Sequence, residues 1–335
     1  MGCPVGIGPE IIIRLVAETE DFGRFVPIVV GDISRLGRCA AELGIPLDIV
    51  SWHPGNPVDP GKLQVIEPEG GEGYSLEAES LHWGKPGRET GRAAAAYITK
   101  AVQLINDGVL DAVVTCPISK YAMQMAGYEF PGHTEMLAEL CDVKNYGMMM
   151  AGRSLRVSLV TIHVPLSRVP GLLSQAEIKR IIDLTGETLV RDFGVLKPRL
   201  AVAGLNPHSG EEGMFGEEES RIIEPAVLEA ASDRWEIEGP LPPDTVYKKA
   251  LDGSYDAVVA MYHDQGLIPF KLVHFEDGVN LTMGLPIIRT SVDHGTAYDI
   301  AGKGIARASS LKASFAMAAG IISNRRNLPQ RPVSK

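Results

Sequence analysis

Three histidines in this chain each follow an apolar run that reads as a buried strand. Val157-Ser158-Leu159-Val160-Thr161-Ile162 ends at His163, Leu200-Ala201-Val202-Ala203-Gly204-Leu205 leads through Asn206-Pro207 to His208, and Ala257-Val258-Val259-Ala260-Met261 leads to His263. Ligands of open parallel α/β sheets bind outside the carboxyl ends of the strands, so three imidazoles far apart in sequence can converge in one crevice. Three imidazoles are a metal-ligand set that leaves positions open for a substrate oxygen or a water. A single histidine is more often a core or surface group with its hydrogen bonds satisfied, but that ordinary reading weakens when three of the eight recur at equivalent strand ends.

The third of these strands opens the densest polar stretch of the chain, Met261 to Asp299, MYHDQGLIPFKLVHFEDGVNLTMGLPIIRTSVDHGTAYD, which sets His263, Asp264, Lys271, Asn280, Arg289, Asp293 and His294 among glycines and prolines. A second polar turn, Phe130-Pro131-Gly132-His133-Thr134-Glu135, leads into a helix through Leu140. With Thr134 as its cap and His133 projecting from the turn, that helix start suits an anion. Lys120, after the strand Asp111 to Pro117, is either a phosphate contact or a solvated cation. Asp244, in the rigid loop Gly239-Pro240-Leu241-Pro242-Pro243-Asp244-Thr245, is either a helix N-cap or a site acid.

These residues need a scaffold of alternating strands and helices. Residues 25–30, 47–52, 63–66 and 111–117 are expected as strands and 33–43 as a helix closed by Gly44. A helix over 91–105 is expected with Thr90 as cap, inside a chain whose residues 53–90 are otherwise an irregular excursion. Ser174-x-x-Glu177 is a capping box opening a scaffold helix over 176–193, ended by Gly194. Glu217-Glu218-Glu219 are expected as acids of a helix first turn, complementing its dipole. A last helix spans 310–323, and the final dozen residues are expected to fray. Gly6-x-Gly8 lacks the third glycine and the preceding strand of a dinucleotide fingerprint, so it is expected only as a glycine turn feeding a helix.

At 335 residues, with 45% hydrophobic and 22% charged, the chain fits two α/β lobes. Forty-two acidic against 32 basic residues give a net charge of −10, without a basic patch for nucleic acid. Cys3, Cys39, Cys116 and Cys141 contain no CxxC pair, which suits a reduced, cytoplasmic protein. No apolar run approaches 18 residues and no secretory signal opens the chain, so neither a membrane span nor export is expected.

Taken together and in order, GIGPE, PGHTE, TIHVPL, GLNPHSGEEG, GPLPPDT, MYHDQG, GVNLTMGLP and IRTSVDHGTA resemble the 4-hydroxythreonine-4-phosphate dehydrogenase family of pyridoxal phosphate biosynthesis over nearly the whole chain. The resemblance implies two α/β/α lobes similar to isocitrate and isopropylmalate dehydrogenases with a cleft between them, the first lobe covering 1–125 plus 295–325 and the second 126–294. It implies a homodimer with a shared active site, and one divalent metal per site (zinc, cobalt, magnesium or manganese) on His163, His208 and His263, one of them from the partner chain. His133, Thr134, Lys271, Asn280 and Arg289 would hold the phosphorylated substrate, and His294-Gly295-Thr296 would lie near NAD or NADP. Asp244, Asp264 and Lys271 are the candidate proton acceptors. The implied reaction oxidises 4-phosphohydroxy-L-threonine and then decarboxylates it to 3-amino-2-oxopropyl phosphate.

Close alternatives are D-threonate or D-erythronate 4-phosphate as substrate; Leu267, where a histidine is expected in that group, favours hydroxythreonine. A metal-dependent hydrolase of a phosphorylated compound and a non-catalytic phospholigand-binding protein are the readings from other classes. One departure from the family pattern is at the start, where a leading strand is missing and Cys3 stands in an acidic position; a misplaced start or truncation is the expectation.

Overall fold

The computed structural model of the protein describes residues 1–68 and 81–327. Along them run eleven strands: β1 (Ile28–Val30), β2 (Ile49–Ser51), β3 (Leu63–Ile66), β4 (Ala112–Thr115), β5 (Gly147–Ala151), β6 (Arg156–Leu159), β7 (Arg199–Ala203), β8 (Glu236–Leu241), β9 (Ala257–Ala260), β10 (Val279–Met283) and β11 (Ile288–Val292). The chain divides into two compact units, residues 1–144 with 285–319, and residues 145–284 with those after 319. The class is mixed α/β, as the alternation of apolar runs and helical patterns implies.

In the first unit β1, β3 and β2 pair in parallel in that order, and β11 pairs in parallel with β4. Side chains alternate across a strand, so one face of the small sheet sends Val29 and Val65 toward the helices Gly8–Ala17 and Ile33–Leu43, while Val30 and Ile66 pack on Ala93, Tyr97 and Ala101 of the helix Arg88–Asn106. The helix Ile33–Leu43 has the expected ends: the Asp32 side chain accepts from the Arg35 N–H at 2.7 Å, and Gly44 closes it at φ 64°. The helix Arg88–Asn106 starts earlier than Thr90 suggests. Gly87 is its N-cap, and Thr90 sits one turn inside with its hydroxyl accepting from the Gly87 N–H at 2.9 Å.

In the second unit the strand order is β10-β5-β6-β9-β7-β8, with antiparallel pairing from β10 to β6 and parallel pairing beyond. Every residue of β5 and β9 is buried, which explains their unbroken apolar sequences. Met148, Met150, Val157, Leu159, Ala201, Val258 and Ala260 face Val246 and Ala250 of the helix Pro243–Leu251 and Leu267 and Phe270 of the helix His263–Val273. The opposite face takes the helix Gln175–Arg191, whose Thr185 hydroxyl donates to Ser158 Oγ at 2.8 Å. Ser174 caps that helix through the Glu177 N–H at 3.2 Å, but the expected capping box does not close, because the Glu177 carboxylate accepts from Arg180 Nε at 2.8 Å instead of reaching back to Ser174.

The unit boundaries fall at 144/145 and 284/285, not at 125/126 and 294/295. β11 belongs to the first unit because it is hydrogen-bonded to β4, and the helix His133–Leu140 because it packs on the helix Arg88–Asn106. The last helix runs from Ser309 to Asn327, four residues beyond the expected 323. The part of the expected excursion at 69–80 and the tail at 328–335 lie outside the described residues.

Candidate active site

β6 and β9 pair in parallel with Leu159 opposite Ala260, and the ladder continues past both strands: the Val160 N–H donates to the Ala260 carbonyl (2.9 Å) and the Thr161 N–H to the Met261 carbonyl (3.1 Å). Equivalent exits from neighbouring strands therefore deliver His163 and His263 side by side, with ring centroids 5.6 Å apart and ring planes at 42°. His263 is the first residue of its helix, and its Nδ1 lies 2.7 Å from Oδ1 of Asp264. An ionised carboxylate only accepts, so Nδ1 carries a proton and Nε2 is the nitrogen that can face a metal. That is the orientation a metal-ligating histidine requires.

β7 is the next strand, parallel to β9, but the chain leaves it differently. Residues 208–212 all take left-handed backbone conformations, with His208 at φ 52°, Ser209 at 56°, Gly210 at 79°, Glu211 at 41° and Glu212 at 56°. Such a turn costs roughly 1–2 kcal/mol per L residue, so it persists only where the surroundings hold it. The holder is Glu219, which is buried: its Oε1 accepts from the Leu205 and Asn206 N–H groups, both at 2.7 Å, and its Oε2 from Asn206 Nδ2 at 3.0 Å. Glu219 therefore anchors the preceding loop; it is not one of three equivalent first-turn acids. His208 ends exposed, with Nδ1 3.0 Å from Glu211 Oε2 and its ring edge-on to Phe215 at 6.0 Å. The hydrogen bond to Glu211 raises its pKa, and the nearby Asp244 charge adds to this.

Among the described residues of one chain, no three His, Cys, Asp or Glu side chains come together in a group able to hold a metal. One chain offers the His163–His263 pair, and its own His208 stands apart. Gln265, which sequence alone did not single out, ties the strand exits together. Its Oε1 accepts from the Met261 N–H at 2.7 Å and its Nε2 donates to the Gly204 carbonyl at 2.6 Å.

A second cluster lies in the first unit. Arg289 and Ser291 share a face of β11, and Ser291 stands opposite Thr115 of β4, so Arg289 reaches the Thr115 hydroxyl with Nε (3.1 Å) and Nη2 (2.8 Å). The side chain is only 3% exposed. Burial draws its pKa down to about 10, an effect Glu135 opposes, so it stays a cation at neutral pH. The helix His133–Leu140 begins at His133 with Gly132 as N-cap, so Thr134 lies in its first turn and is not the cap. Burial, then the charges of Arg289 and the chain's amino terminus, hold His133 well below its ordinary pKa of 6.5, so it is neutral at pH 7. A buried cation, a neutral imidazole and the N–H groups of a first helical turn suit a phosphate.

His294-Gly295-Thr296 lies in the same unit, seated on the N-terminal glycine turn. The Ile7 N–H donates to the Thr296 carbonyl at 3.0 Å, and a Cβ on Gly6 would stand 3.0 Å from that oxygen and 3.1 Å from the Thr296 Cβ. Farther on, Glu10 Oε1 accepts from the Ala306 N–H at 2.8 Å and Arg14 Nη2 donates to the Gly304 carbonyl at 2.5 Å. The Gly6-x-Gly8 turn and the helix Gly8–Ala17 therefore brace the 294–306 loop.

The remaining expected residues are dispersed. Lys271 lies two turns down its helix from His263, about 12 Å along the axis at 1.5 Å per residue. Asn280 is on β10, with Nδ2 3.2 Å from Met148 Sδ. Asp244 is exposed and stands second in its helix behind Pro242, so it is not the N-cap. Lys120 is the exception: exposed at the first position of the helix Lys120–Met125, its Cε would stand 3.9 Å from a Cβ on Gly132, beside the start of the His133 helix. Leu267 is packed in the core against Phe270 and the β6–β9 side chains, so it reports packing and not ligand contact.

The profile of the family described as "Pyridoxal phosphate biosynthetic protein PdxA" matches residues 24–318. Over 322 residues, 95% of this chain and 93% of the relative, the sequence is 54% identical to a protein of Desulfosudis oleivorans named 4-hydroxythreonine-4-phosphate dehydrogenase. Over 321 residues, 95% of this chain and 96% of the relative, it is 41% identical to a D-threonate 4-phosphate dehydrogenase of Salmonella typhimurium. The crystal structure of 4-hydroxythreonine-4-phosphate dehydrogenase from Klebsiella pneumoniae matches with a TM-score of 0.87 and 42% identity, covering 96% of each chain.

Proposed function

This chain belongs to the PdxA family of pyridoxal phosphate biosynthetic proteins, and we propose that it catalyses NAD-dependent oxidation of 4-phosphohydroxy-L-threonine followed by decarboxylation to 3-amino-2-oxopropyl phosphate. The observation that carries the choice of substrate is the 54% identity to a relative named for that activity, against 41% to one named for D-threonate 4-phosphate. D-Threonate or D-erythronate 4-phosphate is the second reading, and the buried Leu267 no longer weighs against it.

The metal ligands in this reading are His163 and His263 of one chain with the His208 of a second copy. These imidazoles would hold a divalent ion that would supply Lewis acidity toward the substrate, and the 294–296 loop would lie along NAD or NADP, which would supply the hydride acceptor. The residues of one chain fit as part of such a site: two adjacent imidazoles, one with Nδ1 committed to a carboxylate. A second copy accounts for the exposed apolar side chains of Met214 and Phe215 beside His208.

Arg289, His133 and the first-turn N–H groups around Thr134 would bind the phosphate in this reading; Lys271 and Asn280 are assigned to the substrate by the family resemblance alone. Asp264 orients His263 through Oδ1 and keeps Oδ2 available, so Asp264, Lys271 and Asp244 are the candidate proton acceptors in this reading. No described helix is long and apolar enough to cross a membrane, and we place the enzyme in the cytoplasm.

The proposal is tested by following NADH absorbance with purified protein, 4-phosphohydroxy-L-threonine, NAD and a divalent ion. NAD is reduced, chelation stops the reaction and re-addition of the ion restores it. Release of inorganic phosphate without NAD reduction would replace this reading with the hydrolase.

A further inference from the structure

Beyond these residues, the second unit holds a chemically ordered arrangement at the turn between β5 and β6. Ser154 stands exposed on that turn, and its Oγ lies 2.9 Å from Nε2 of His274. Nδ1 of the same ring lies 3.0 Å from Oδ1 of Asp277. The ring is 4% exposed, stacks near Phe270 at a centroid distance of 5.4 Å, and lies so flat on Gly152 that a Cβ there would come within 2.4 Å of it. Asp277 accepts only, so Nδ1 carries the proton and Nε2 is the acceptor facing the serine hydroxyl. Fixed tautomer, immobilised base and accessible hydroxyl are the geometric roles of a serine–histidine–carboxylate triad, which is recognised by those roles and not by fold or sequence order.

We infer that Ser154, His274 and Asp277 make Ser154 an acyl-acceptor nucleophile toward small activated acyl esters, an activity independent of the dehydrogenase residues. Ser154 Oγ attacks the carbonyl carbon while its proton passes to His274 Nε2. The bond from that carbon to the leaving oxygen then breaks, and the leaving oxygen takes the proton from Nε2. Ser154 ends as an ester, the leaving group departs as its alcohol, and no oxidant or reductant is needed. Asp277 positions the imidazole and stabilises its protonated form during transfer.

The test is to treat the full-length protein with p-nitrophenyl acetate, follow nitrophenol release, and map acetyl groups by peptide mass spectrometry. Ser154 is acetylated in the wild type. Acylation slows about 100-fold or more in His274→Gln, the usual scale for loss of a general base, and clearly in Asp277→Asn. Acetylation at this position disappears in Ser154→Ala, which keeps wild-type NAD reduction. Because His274 is buried, melting curves accompany every variant, and the surface changes Ser154→Ala and Asp277→Asn carry the test if His274→Gln does not fold. Absence of acetyl on Ser154, or an acylation rate that Asp277→Asn and a folded His274→Gln leave unchanged, overturns the inference and reduces the three residues to a lock on the turn.

Discussion

Asp264 fixes which ring nitrogen of His263 is free, through Oδ1. Its replacement by alanine should weaken divalent-ion binding about 10–100-fold, the usual cost of losing a carboxylate behind a ligating histidine, with little change in melting temperature; calorimetric titration with the metal alone measures this. Glu219 is a different case, because its buried carboxylate holds the half-buried N–H groups of Leu205 and Asn206. Glu219→Ala should cost about 2–4 kcal/mol in urea unfolding, whereas exposed Glu217→Ala should be nearly silent. His133 gives a pH signature. Its folded pKa lies below its unfolded value of 6.5, so the unfolded chain binds the proton more readily; its contribution is complete above 6.5 and is lost as pH falls below it. Wild-type stability should therefore drop more steeply below pH 6.5 than that of His133→Gln, read from melting temperatures across pH. At this scale, although His208 stands apart, the pairing of His163 with His263 was legible because each follows the apolar run of one of two neighbouring strands. Glu219 was not, since an acid that folds back onto the preceding loop has the same sequence as one that merely faces a helix dipole. Thr115, the hydroxyl that receives Arg289, looked like ordinary strand filling.

The elements place these groups by register. Parallel pairing of β6 with β9 guarantees that two exits of similar length end together, and Gln265 laces the β9 exit to the β7 exit. Gln265→Leu leaves the Met261 N–H and the Gly204 carbonyl without those bonds and should destabilise by about 2–3 kcal/mol, seen in urea unfolding. The turn at Gly6 supports the 294–296 loop by close approach. Gly6→Ala should raise KM for the dinucleotide several-fold while moving KM for the phosphorylated substrate much less, and a reversed pattern would detach this loop from cofactor binding. β3 was readable to the residue, because Leu63, Val65 and Ile66 stand between turn residues, although Gln64 is buried with them. The starts of two helices were misread, since Thr90 and Thr134 are good capping types but glycine occupies the N-cap in both. The left-handed run at 208–212 carries one glycine among five residues, so nothing local announces it.

For the whole molecule, the α/β class followed from the alternating pattern, but the unit boundaries did not, because β11 returns to pair with β4 across a long stretch of sequence. If the His208 of a second copy completes the His163–His263 pair, two inactive variants should complement each other. His208→Ala and His263→Ala, unfolded together and co-refolded, form mixed dimers with one intact set of three histidines, and part of the wild-type activity returns; no recovery would place all three ligands within one chain. The function itself is tested most directly by kcat/KM for NAD reduction with 4-phosphohydroxy-L-threonine beside D-threonate 4-phosphate and D-erythronate 4-phosphate, using metal-supplemented protein. The proposed function predicts a preference for the amino-acid phosphate of about tenfold or more, as expected where a site's polar groups pair with a substrate group that its competitors lack. A preference for either sugar-acid phosphate, or no NAD reduction with any of the three, would contradict it.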